Sequence, residues 1–125
     1  MAHDAIKRAN PNAQVVLGGL SLGGTEGALD EDFFENILAD AQYPAAKYFD
    51  IANFHHYGTL DEARRRMQYV QGALAKVGAA VKPVSITEVG YGSDRSGQDM
   101  RQYQGKEGQA AWLRDMFPAL LKLGA

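Results

Sequence analysis

The chain has 125 residues, of which 46% are hydrophobic and 22% charged, the proportions of an ordinary folded domain with one core. Its formal net charge of −2 provides no bulk attraction to nucleic acid or to an anionic membrane. It contains no cysteine, which excludes disulfides, thiolate metal sites and cysteine nucleophiles while leaving the compartment open.

Ala2 to Ala9 has a helical pattern that ends at Asn10-Pro11, where the proline blocks continuation. Residues 1–13 carry no apolar run of a secretory signal, and no stretch reaches the roughly 18 apolar residues of a membrane span. Val15-Val16-Leu17 reads as a first buried strand, stopped by Gly18-Gly19. A loop, Ser21 to Asp30, precedes a helix in which Phe33, Phe34, Ile37, Leu38 and Ala41 recur at helical spacing, with Asp30 or Asp32 as its N-cap.

Tyr48 to Phe54 reads as a second strand. Thr59-x-x-Glu62 fits a capping box opening a helix with the apolar stripe Ala63, Met67, Val70, Leu74 and Val77, and Gly78 as its stop. Within that helix, Arg64-Arg65-Arg66 beside Asp61 and Glu62 reads as a solvated face rather than a binding patch. Val84-Ser85-Ile86-Thr87 is a third strand, rich in β-branched residues, and Tyr91 to Gly105 is a loop. The last helix runs from about Lys106 to Leu123, with Trp112, Leu113, Met116, Phe117 and Leu120 inward and a kink expected at Pro118.

Strand starts near Val15, Tyr48 and Val84 give spacings of 33 and 36 residues. Three parallel strands alternating with helices predict an α/β fold, and the spacing fits a (β/α)8 TIM barrel or a doubly wound open sheet. Three parallel strands alone leave apolar edges unpaired, and the sequence stops after a helix, where a barrel's next strand would begin. The expectation is a single partial domain over residues 1–125, whose edges are covered by a missing barrel half or by self-association.

In such folds the chemistry collects where strands end. Asn53, His55, His56 and Tyr57 stand after the second strand, and Glu88 and Tyr91 after the third. A carboxylate, histidines and tyrosines at one rim are a plausible acid–base or nucleophilic site. A glutamate ending an apolar strand also needs a partner or a purpose.

Tyr48-Phe49-Asp50-Ile51-Ala52-Asn53-Phe54-His55-His56-Tyr57-Gly58 resembles strand six of clan A glycoside hydrolases, with its His-x-Tyr. Lys82-Pro83-Val84-Ser85-Ile86-Thr87-Glu88-Val89-Gly90-Tyr91 resembles their strand seven, whose terminal glutamate is the nucleophile. Asn10 to Gly19 is similar to the passage into strand five, and Gln109-Ala110-Ala111-Trp112-Leu113 to the helix after strand seven. The cellulase-like, β-xylosidase-like and galactanase-like members are all comparable. The resemblance implies the C-terminal part of a TIM-barrel glycosidase, covering strands five to seven and lacking the preceding strands and the last one. It implies a retaining glycoside hydrolase acting on β-linked oligo- or polysaccharides. Glu88 would be the nucleophile, Tyr57 would orient it, His55, Asn53 and Tyr91 would contact the sugar, and no cofactor or metal would be needed.

The acid/base of that clan belongs to an Asn-Glu pair ending strand four, and this sequence has no Asn-Glu dipeptide. Glu26, Asp30 and Glu31 match no motif, so the chain alone is expected to lack its second carboxylate and turnover. A non-catalytic carbohydrate-binding or assembly module is one alternative. Another is a serine esterase, because Gly19-Leu20-Ser21-Leu22-Gly23 matches G-x-S-x-G. Against it, the only histidines after Ser21 are His55 and His56, inside the second strand pattern, and no helix start comes at once after the serine. No P-loop lysine or G-x-G-x-x-G is present. Adjacent His55 and His56 face opposite sides of a strand, which disfavours a shared metal.

Overall fold

The computed structural model describes residues 2–21, 31–91 and 105–124. Among them are α1 (Ala2–Ala9), β1 (Leu20–Ser21), α2 (Glu31–Ala39), β2 (Ala52–His56), α3 (Leu60–Lys76), β3 (Val84–Val89) and α4 (Gly105–Lys122), with a 3-10 turn at Ala45–Lys47. The fold is mixed α/β, with a parallel three-stranded sheet in the order β1-β2-β3.

The strand nearest the N-terminus differs from its expected position. Val15 to Leu17 does run along the second strand: Leu17 N–H donates to the Ile51 carbonyl (2.9 Å), and Val16 bridges Ile51. Gly18-Gly19 interrupts this pairing, and the regular ladder resumes at Leu20–Ser21 against Phe54 and His55. β2 likewise starts later than its apolar run. Tyr48 closes the 3-10 turn, and the Asp50 carboxylate accepts the Val15 N–H (2.7 Å) and pairs with Lys7 (2.8 Å).

α3 has the cap its sequence specifies. Thr59 Oγ1 accepts the Glu62 N–H (3.2 Å), and the Glu62 carboxylate accepts the Thr59 N–H (2.6 Å). At its other end Gly78 N–H bonds the Ala75 carbonyl and Ala79 N–H bonds the Leu74 carbonyl, a Schellman motif. Gly78 takes the left-handed conformation (φ 72°) that this motif requires. The buried stripe of α3 is Ala63, Met67, Val70, Ala73 and Leu74, whereas Val77 is exposed at the C-cap.

Ala52, Phe54 and Val84 project from one sheet face into a core shared with Phe34 and Leu38 of α2 and Met67, Val70 and Leu74 of α3. A second cluster of Ala63, Tyr91, Trp112, Met116 and Leu120 lies under α4, and Ile86 and Leu123 touch both. Phe33, Leu113 and Phe117 are exposed rather than inward, and α4 runs helically through Pro118. Asp32 lies inside α2 and so is not its N-cap, while Asp30 is outside the described residues. No helix among the described residues is long and apolar enough to cross a membrane.

The other sheet face is polar. It carries Asn53 and His55 from β2, with Ser85 opposite Asn53. Pairing of β2 with β3 runs Ala52–Val84, Asn53–Ser85 and Phe54–Ile86, then jumps to His55–Glu88 and His56–Val89. Thr87 is the extra residue of this bulge, and the irregularity re-aims the side chains beyond it.

Candidate functional site

The bulge sets Glu88 beside His55 instead of His56, bringing its carboxylate to the polar face where the parallel strands end. Tyr57, the first residue after β2, donates its hydroxyl proton to Glu88 Oε1. His55 Nδ1 lies 3.4 Å from Glu88 Oε2. Each carboxylate oxygen thus has its own neighbour, yet the Glu88 side chain remains 53% exposed. The bond to Glu88 is the main reason the Tyr57 phenol is held above the ordinary tyrosine range. Desolvation and the nearby negative charge add to it. Tyr57 therefore stays protonated and remains a donor at neutral pH.

Two glycines seat these rings: Gly19, read from the sequence only as a strand stop, and Gly90, which the sequence reading gave no role. A Cβ on Gly19 would come within 1.8 Å of His55 Nε2, and one on Gly90 within 2.9 Å of Tyr57 Cε1. The His55 ring therefore spans the sheet from Gly19 to Glu88, and the Tyr57 ring lies over Gly90. The visible signal was a glycine directly after or between strand residues, which can mark close approach of another group as well as a turn.

Asn53 was expected to touch a ligand, but its amide is committed within the sheet. Its Nδ2 donates to the Leu17 carbonyl (3.1 Å) and Thr87 Oγ1 (2.8 Å), and its Oδ1 accepts the Thr87 N–H (3.1 Å) and hydroxyl (3.0 Å). With both donors and both acceptor positions used, Asn53 is the brace of the bulge. Tyr91 was expected to offer a face to a sugar. It is only 5% exposed and stacks on Trp112 at 5.5 Å between ring centroids, so it belongs to the core under α4.

His56 points to the opposite face from His55 and is fully buried. Its Nε2 is 3.0 Å from the Thr59 carbonyl and its Nδ1 is 3.0 Å from Arg66 Nη1. Arg66 is thus partly buried beneath the sheet and corrects the reading of its triplet as uniformly solvated, while Arg64 and Arg65 are exposed. Among the described residues no three His, Asp or Glu side chains are arranged to hold a metal ion.

Ser21 sits in the β1 ladder opposite His55, not on a sharp turn beyond it. Residues 22–30, which include Gly23 and the rest of an esterase elbow, lie outside the described residues. Comparison with protein-family models, curated proteins and solved structures found no match to this chain.

Proposed function

We propose that this chain is the nucleophile-bearing part of a retaining glycoside hydrolase barrel, with Glu88 as nucleophile. The observation that supports it is a half-exposed carboxylate at the strand ends, with Tyr57 bonded to one oxygen and His55 beside the other. A retaining mechanism needs such an ionised, aimed and reachable carboxylate. One Glu88 oxygen attacks the anomeric carbon while the bond to the leaving-group oxygen breaks. That oxygen takes a proton from an acid, and water later releases the sugar from the glycosyl-enzyme. Tyr57 holds Glu88 by its hydroxyl, and His55 flanks the cleaved bond.

The acid is a second carboxylate roughly 5 Å away. None among the described residues bonds or pairs with Glu88, Tyr57 or His55, and it is assigned to another segment that also continues the sheet edges into a closed barrel. The polar sheet face then becomes the barrel's interior.

The test uses 2-deoxy-2-fluoroglycosides with a dinitrophenolate leaving group, in β-gluco, β-xylo and β-galacto configuration. A leaving group this good departs without an acid, so the first step depends on the nucleophile alone. Peptide mapping should find the sugar esterified to Glu88, and Glu88→Gln should abolish labelling. Reversible sugar binding without labelling would instead favour a non-catalytic carbohydrate-binding module. Neither binding nor labelling across the panel would refute the glycosidase.

A further inference from the structure

The link between β2 and α3 is three residues long, Tyr57-Gly58-Thr59, and it is fastened from the face opposite the site. The indole N–H of buried Trp112 donates to the Gly58 carbonyl at 3.2 Å. The Glu62 carboxylate holds the Thr59 N–H at 2.6 Å and its hydroxyl at 3.0 Å. The Thr59 carbonyl faces His56 Nε2, and the Gly90 N–H reaches the His56 carbonyl at 3.3 Å, tying the ends of β2 and β3.

The chemistry of its partners fixes the state of His56. A guanidinium only donates, so Nδ1 must accept from Arg66; a carbonyl only accepts, so Nε2 must carry the hydrogen given to Thr59. This is the neutral ring with one tautomer. Burial first, and then the Arg66 charge, hold His56 below its ordinary value, which agrees with that assignment. Glu62 is the anionic group that opposes this effect, and together with Arg66 it makes up the charged surroundings of the ring.

We propose that His56, clamped between Arg66 and the Thr59 carbonyl, is a positioning residue for Tyr57, and through Tyr57 for Glu88. It touches no reacting atom. Its ring joins the last residue of β2 to the cap of α3, and these are the residues on either side of the Tyr57-Gly58 pair. With both ends held, the Tyr57 phenol is aimed at Glu88 before any ligand arrives, as preorganised catalysis requires. The inference rests on the glycosidase reading only for naming Glu88 the nucleophile; the aiming of Tyr57 is independent of it.

The experiment labels tyrosine Cζ with carbon-13 in the 125-residue chain and follows ionisation by NMR, with Tyr57 assigned from Tyr57→Phe. In the parent chain Tyr57 should titrate above the ordinary range, and Glu88→Gln should remove most of that displacement, leaving the part due to desolvation. His56→Phe should lower it to the same extent as Glu88→Gln, and Arg66→Met, which keeps the α3 packing, should lower it less. Leu74→Ala, which weakens the core away from the link, should leave Tyr57 unmoved. If His56→Phe and Arg66→Met fold and Tyr57 titrates as in the parent, the proposal is overturned. If His56→Phe does not fold, Arg66→Met alone decides in the same way. Glu88 failing to take the fluorosugar while Tyr57 responds as stated would remove the glycosidase reading and leave the positioning role standing.

Discussion

Gly19→Ala is the sharpest perturbation of the site that leaves every site residue in place. Gly19 is not among the glycines with positive φ, so alanine meets no backbone strain there. Its obstacle is space. The new Cβ would lie 1.8 Å from His55 Nε2, 2.4 Å from Cδ2 and 2.6 Å from Cε1. The ring edge must retreat by about 1.6 Å to restore ordinary contact at 3.4 Å. It cannot simply slide along the sheet, because Glu88 Oε2 is 3.4 Å from Nδ1 on the far side. His55 must therefore leave its rotamer and swing off the sheet. The stability cost is modest, roughly 0.5–1.5 kcal/mol for an off-minimum side chain. It is partly offset by about 0.4–1 kcal/mol from the less flexible unfolded chain. The net change should stay within about 1 kcal/mol by urea denaturation. The site should suffer far more, since displacing a positioned group by about 1 Å can cost on the order of 100-fold. We expect Glu88 labelling by the activated fluoroglycoside to slow on the order of tenfold to 100-fold. The His55 ring-nitrogen resonances should also shift. Unchanged His55 resonances and an unchanged labelling rate would refute the wedge.

Thr59→Ala removes the side-chain acceptor that caps α3 and should lower unfolding free energy by about 1 kcal/mol, with Thr59→Ser retaining most of it; no loss on urea denaturation would show that this cap contributes nothing. Acidification should destabilise the chain in two steps. His56 is held below its ordinary 6.5 in the folded state, so its contribution is complete above that pH. It declines as pH falls below 6.5, where the unfolded chain takes up the proton first, and is lost once the lower folded value is passed. Glu62 and Asp50 are held below 4.5 and 3.8 by their bonds to Thr59 and to Lys7 and Val15, so a second decline begins near those values. A urea midpoint that stays constant from pH 8 to 5 would contradict the first step.

Much of the layout was legible because local chemistry and tertiary packing agree. Thr59 and Glu62 specify a helix start that needs no distant partner, and the α3 stripe comes from 3.6-residue periodicity. Glu88, Tyr57 and His55 could be grouped because parallel strands end at one rim. What escaped depends on contacts between segments. Gly18-Gly19 reads as a terminator whether the strand ends or merely pauses, so the resumed pairing at Leu20 was invisible. Period-two alternation cannot reveal a bulge, and the commitment of Asn53 to Thr87 depends on the bulge. Tyr91 and Arg66 look solvent-facing by residue type, but Trp112 and His56, distant in sequence, draw them inward. Leu113 and Phe117 look inward by type, yet α4 buries only the narrower stripe through Gly108, Trp112, Met116 and Leu120.

The bulge at Thr87 also bears on which register the chain selects while folding. With strict alternation β3 would set Thr87 opposite His55 and Glu88 opposite His56, on the face covered by helices. A carboxylate forced there leaves water for a face whose cation, Arg66, is already engaged by His56, which costs free energy. The unbulged register is therefore a near neighbour of the native one in sequence alignment but a distant one in energy. Asn53 supplies the bonds that make the extra residue welcome, and the charge of Glu88 penalises its omission. Glu88 thereby also guards against the misaligned sheet.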